Sequence, residues 1–89
     1  MIDSPAVRLR KSVVAQAMDG QMVLLEINSG QYYDLNASGS LMLQQLLAGA
    51  SRAQTIAAVE QKFLTSSERV GADLDALLVT LREAGLIEG

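Results

Sequence analysis

Two turn signals, Asp19-Gly20 and Asn28-Ser29-Gly30, divide the first part of this chain into three apolar runs, and they restrict its fold more than any other feature. An Asp-Gly pair between hydrophobic runs forms a tight hairpin, because glycine accepts the positive φ that a two-residue turn requires. Before it, Val13, Ala15 and Ala17 alternate with Val14, Gln16 and Met18, the period of a strand with one buried face. After it, MVLLEI, Met22 to Ile27, is rich in strand-favouring residues. Asn-Ser-Gly gives the next turn, and QYYDL, Gln31 to Leu35, is the third strand. The prediction is a three-stranded antiparallel meander, with Val7 to Arg10 as a further extended piece.

A lone meander does not stand in water, so helices must cover one of its faces. The remaining sequence supplies three. Asn36 is an N-cap for a helix from about Ala37 to Ala48, which carries Leu41, Met42, Leu46 and Leu47 and stops at Gly49 in a left-handed cap. Ser51 and Gln54 form an S-x-x-Q capping box for a second helix, with Ile56, Val59 and Phe63 on one stripe. Thr65 and Glu68 form a T-x-x-E box for a third, where Val70, Leu74, Leu77, Leu78 and Leu81 recur at helical spacing. Gly85 ends it, and Leu86-Ile87 fold back on the core. The fold class is α+β with the order βββααα. Residues 1–89 read as a single domain, since single domains run from about 50 to 200 residues. Hydrophobic residues at 49% and charged residues at 19% place the chain among globular folds, not disordered ones.

Catalytic chemistry is poorly provided for. The chain has no histidine and no cysteine, so the commonest general bases and nucleophiles are missing. No serine stands in a G-x-S-x-G setting; Ser38 and Ser40 lie at a helix start, where serine is common. Asp73 and Asp75 are two apart on a helix and point to different sides, and Glu83 and Glu88 bracket a helix end, so no metal site is predicted. Neither a P-loop nor a G-x-G-x-x-G is present, and no cofactor is expected. A net charge of −3 disfavours a nucleic-acid partner, and Arg8, Arg10 and Lys11 read as a solvated basic segment. The chain has no bilayer-length apolar run and no apolar signal segment at its start, so the expectation is no membrane partner and a cytoplasmic location. The expectation is a binding protein, not an enzyme.

Edge-strand logic says what it binds. The third strand of the meander is an edge with no proline and no lysine, and its charge is Asp34. Beside a helix, such an edge makes a groove for strand addition by a peptide. About four backbone hydrogen bonds contribute roughly 1 kcal/mol each, whereas ordering the peptide costs about 1–2 kcal/mol per residue. Two or three apolar anchors of roughly 1.5–3 kcal/mol each must decide the balance. Tyr32 or Tyr33, Leu78 and Val79 are candidates, and strand alternation sends one tyrosine inward and the other outward.

The run DGQMVLLEINSGQYYDLNASG, the following helices and the closing LREAGLI together resemble the PqqD family, also called the RiPP precursor recognition element. The resemblance rests on Asp19-Gly20, Val23-Leu24-Leu25, Gly30-x-Tyr32-Tyr33-x-Leu35-Asn36, Gly39, Gly49 and Gly85-Leu86, in that order and spacing. Within the family the chain looks most like the stand-alone recognition protein of lasso-peptide clusters; Leu43 stands where many relatives carry tryptophan. The resemblance implies a winged helix-turn-helix-like fold that binds the leader of a ribosomally made precursor peptide. It also implies presentation to a leader peptidase, followed by a macrolactam-forming cyclase. Gln31, Tyr32, Tyr33, Asp34 and Leu35 would be the docking strand, with Leu74, Asp75, Leu78, Val79 and Arg82 as the opposite wall. Leu74 is either wall or core, and Arg82 either meets a leader carboxylate or is a solvated helix residue.

Alternatives are a peptide chaperone of pyrroloquinoline-quinone synthesis that delivers precursor to a radical SAM enzyme, a subunit that only stabilises a partner enzyme, and a winged-helix nucleic-acid binder. A recognition helix in a major groove should be basic. The third helix sets Arg69 and Arg82 against Glu68, Asp73, Asp75 and Glu83.

Overall fold

The computed structural model describes residues 7–88. Asp19 and Gly20 form the expected hairpin turn with φ values of 51° and 80°, the all-positive pair of a type I′ turn. They join β2 (Val13–Met18) to β3 (Gln21–Glu26), and the next turn leads to β4 (Tyr32–Asp34), giving an antiparallel sheet of order β2-β3-β4. The register sets Val14 opposite Leu25 and Leu25 opposite Tyr32 on one face, and Ala15, Leu24 and Tyr33 on the other. Two short strands that sequence reading left as an extended piece and a folded-back tail, β1 (Arg8–Leu9) and β5 (Ile87–Glu88), pair with each other antiparallel.

The helices are α1 (Ala37–Leu47), α2 (Arg52–Phe63) and α3 (Ser67–Glu83). Asn36 caps α1 by accepting from the Gly39 N–H at 2.8 Å, and Ser51 and Gln54 form the predicted capping box on α2. The end of α1 is a Schellman motif around Gly49, with Ala50 N–H donating to Gln45 O and Gly49 N–H to Leu46 O. The same pattern closes α3 at Gly85.

Two expectations need correction. The N-cap of α3 is Ser66, which accepts from the Arg69 N–H at 3.2 Å, so the predicted Thr65–Glu68 box does not form. The physical reason lies one residue upstream. Leu64 ends α2 in the left-handed region with φ 52°, which turns the chain early and leaves Thr65 partly buried between the helices. Phe63, expected on the buried stripe of α2, is 37% exposed, because that helix ends at the rim.

Two clusters form one interior. Leu24, Leu43, Leu81 and Leu86 centre the cluster under the sheet, and Met42, Val59, Val70 and Leu74 centre the cluster between the helices. Leu43 is fully buried against the sheet. Leu77 and Leu78 touch both clusters and so tie α3 to each.

Ser40 joins the layers by a polar contact that sequence reading treated as an ordinary helix-start serine. Its hydroxyl is fully buried, accepts from the Met22 N–H at 2.7 Å and donates to Leu35 O at 3.3 Å. It thereby pins the start of β3 and the end of β4 to the first turn of α1. Ser40→Ala leaves a buried N–H without a partner, so the expected loss of unfolding free energy is about 1–3 kcal/mol in a urea titration.

Candidate functional site

β4 has β3 on one side and an open edge on the other. The flanking bonds fix which groups face which way: Glu26 N–H donates to Gln31 O at 2.8 Å and Leu35 N–H to Met22 O at 2.9 Å. In an antiparallel ladder these directions alternate, so Gln31, Tyr33 and Leu35 bond to β3. The backbone N–H and C=O of Tyr32 and Asp34 therefore point to the open edge.

Side chains alternate across the sheet faces. Tyr33 is partly buried, packs against the cluster of Leu24 and Leu43, and donates its hydroxyl to Gln31 Oε1 at 3.4 Å. Tyr32 is 67% exposed on the opposite face. One tyrosine thus seals the core and the other borders solvent, as alternation required. Gln31 and Asp34 are exposed, and Leu35 is buried in the core under the sheet.

The loop that aims β4 is organised by Glu26. Its carboxylate accepts from the Ser12 hydroxyl at 2.5 Å and from the Ser29 N–H at 2.7 Å, and its carbonyl accepts from the Gly30 N–H at 2.9 Å. The Ser12 hydroxyl, then the Ser29 backbone, hold this carboxyl below its ordinary value of 4.5. A lowered folded value means stability that is full above the ordinary value and is lost as pH falls through the folded one. The stability gap between the wild type and Glu26→Gln should therefore be constant near neutral pH and shrink below about pH 4.5 in urea titrations.

The third helix contributes the other wall. A cleft of about 330 Å³ lies between the start of α1, which follows β4, and α3, lined by Asn36, Ser38, Gly39, Met42, Asp73, Ala76, Leu77 and Thr80. Gly39 sits close to the cap: a Cβ on it would press on the Asn36 Oδ1 at 3.0 Å and meet Leu77 in ordinary contact at 3.9 Å. The face of α3 that lines this cleft is Asp73, Ala76, Leu77 and Thr80.

The predicted wall residues distribute differently. Leu74 is fully buried between the helices. Asp75 turns toward α2, where Arg52 donates to both its carboxylate oxygens at 3.0 and 2.9 Å. Leu78 is partly buried against both clusters, and Val79 and Arg82 are exposed. Asn36, Ser38, Gly39, Asp73, Ala76, Leu77 and Thr80 were not singled out as site residues. The available signal was the adjacency of the Asn36 cap to the end of the edge strand.

This arrangement can pair with a backbone and lodge side chains. Among the described residues there is no group of His, Cys, Asp or Glu that could hold a metal, and no helix long and apolar enough to cross a membrane.

Residues 21–87 match the family of coenzyme PQQ synthesis protein D (PqqD). Two solved structures have the same fold. A lasso peptide synthetase B1 complexed with the leader peptide is 30% identical, aligns over 96% of this chain and 100% of its own, and superposes with a TM-score of 0.87. TbiB1 in complex with the TbiA(β) leader peptide is 28% identical over 92% of this chain and 95% of its own, with a TM-score of 0.82. No curated protein matches the sequence.

Proposed function

This chain belongs to the PqqD family, and we propose that it binds the leader segment of a ribosomally made precursor peptide by adding it as a strand to β4. One observation carries this reading: the backbone groups of Tyr32 and Asp34 face an open edge, and Asn36, two residues past that strand, lines the cleft between α1 and α3. The likeness to two structures that hold leader peptides supports it. In this reading Gln31 to Leu35 are the docking strand, and α3 is the wall that receives the inward side chains. The complex then presents the precursor to a leader peptidase, and a macrolactam-forming cyclase acts on the product, within the cytoplasm. The chain itself binds and positions; it does not catalyse.

The test is fluorescence anisotropy with a labelled leader peptide of the precursor encoded beside this gene. Low-micromolar or tighter saturable binding is expected, and a flat titration up to tens of micromolar overturns the proposal. Two variants assign the wall. Ala76→Arg places a long cation in the cleft and is expected to weaken binding at least tenfold, or about 1.4 kcal/mol. Val79→Arg, on an exposed position outside the cleft lining, should change affinity less than threefold. The opposite ranking would assign the groove to the face that carries Asp75, Val79 and Arg82.

A further inference from the structure

The cleft between α1 and α3 has more in it than an apolar groove needs. Gly39, Met42, Ala76 and Leu77 give it apolar surface, and Ser38, Asp73 and Thr80 give it polar groups. These polar groups are rich in acceptors. The Ser38 hydroxyl already donates to Asn36 Oδ1 at 3.3 Å, so its free capacity is its lone pairs, and Asp73 accepts only.

The charges nearby are arranged in the same sense. Asp73 enters neither the Arg8–Glu88 nor the Arg52–Asp75 ion pair. Arg52, the cation of α2, is committed to the other flank of α3. Arg69 lies one turn before Asp73 but makes no ion pair with it. Apolar surface beside an acidic group suits a side chain with a methylene stem and a cationic head, which lays its stem on hydrocarbon and keeps its charge at the surface.

We propose that this cleft is a subsite for one lysine or arginine of the bound peptide, with its stem along Ala76 and Leu77 and its head at Asp73. The proposal rests on the reading of β4 as the peptide-docking strand. It adds a selection rule: the strand edge accepts any extended backbone, whereas Asp73 chooses among side chains at one position.

A competing role for Asp73 is to complement the first turn of α1, which holds no acidic residue of its own. The experiment separates the two. A labelled panel of the leader peptide encoded beside this gene, substituted one position at a time with Lys, Ala or Glu, is titrated against wild type, Asp73→Asn and Asp73→Lys. Wild type is expected to prefer Lys over Ala at one position by roughly fivefold, the upper range for an exposed pair, and Lys over Glu by more. The preference should vanish in Asp73→Asn and invert toward Glu in Asp73→Lys, with both variants melting close to wild type.

If the leader binds but no position shows a basic preference, or the preference persists in Asp73→Asn, the subsite is wrong and the strand-addition reading stands. A lowered melting temperature in Asp73→Asn with unchanged selectivity assigns Asp73 to the helix start and also overturns the subsite. If no panel member binds wild type, the strand-addition reading fails and takes the subsite with it.

Discussion

Asp34→Pro is expected to weaken leader-peptide binding by roughly thirtyfold, about 2 kcal/mol, while the protein stays folded. The Asp34 N–H points away from β3, so proline there removes no bond of the sheet. It does remove one donor from the open edge, and its ring occupies the place where a peptide carbonyl would sit. One lost hydrogen bond accounts for roughly 1 kcal/mol, and the neighbouring bond that the ring pushes out of register for about as much again. Proline also restricts the residue before it to extended conformations, which Tyr33 already adopts as a strand residue. Asp34→Asn is the control for the lost carboxylate, and it should bind within a few-fold of wild type. Tyr33→Pro is the control for direction: its N–H bonds to β3, so that variant should lose stability as well as binding. Anisotropy and a thermal melt on all three give the comparison. If Asp34→Pro binds like wild type, the peptide is not on this edge.

The largest stability effect is expected at Leu24. It is fully buried at the centre of the sheet's core face, directly opposite Tyr33. Truncating a buried leucine to alanine removes its transfer free energy and leaves a cavity, costing about 2–5 kcal/mol. In a domain of this size each kcal/mol lowers the melting temperature by about 4–8 °C, so Leu24→Ala should fall by about 8–40 °C. Leu25, the next residue, faces the other side of the sheet and is 38% exposed. Leu25→Ala should cost about 1 kcal/mol or less. Calorimetry on the pair therefore reads the inside-outside alternation directly; equal losses would mean that the register is not the one described. Because Tyr33 packs over Leu24, the Leu24 variant should also bind leader more weakly at temperatures where it is folded.

The elements that were legible in the sequence are those set by chemistry within a few residues. The Asp19-Gly20 turn, the Asn36 cap, the Ser51–Gln54 box and the glycine stops at Gly49 and Gly85 each depend on a side chain or φ angle acting on its own neighbours. Where two local solutions compete, the sequence pattern was ambiguous. Thr65 and Ser66 are both good caps, and the early turn at Leu64 gave the role to Ser66. Ser40 was missed for the opposite reason: its partners, Met22 and Leu35, come from strands, so nothing near it in sequence announces its role.

The wall of the site shows the same limit. The apolar stripe Val70, Leu74, Leu77 and Leu81 fixes which side of α3 is buried, and periodicity found it. A stripe has two flanks. One carries Asp73, Ala76 and Thr80, the other Gly71, Asp75 and Leu78, and the pattern treats them alike. The arrangement of helices separates them: α2 takes the second flank, where Arg52 holds Asp75 and donates to Gly71 O at 3.3 Å, and the first lines the cleft against the start of α1. The edge position of β4 was legible because two turn signals order the three strands as a meander, whose last strand has a neighbour on one side.

The pairing of Arg8 with Glu88 and of Leu9 with Ile87 has a consequence for how this unit can be moved between proteins. It holds the two ends of the described chain side by side, as in domains that tolerate insertion into a host. Grafted into a surface loop of another protein, such a unit would demand almost no spacing between its points of attachment. Its ends could equally be joined by a short linker and new ones opened at the exposed Asp19-Gly20 turn, changing the order of the strands in the gene without changing their order in the sheet.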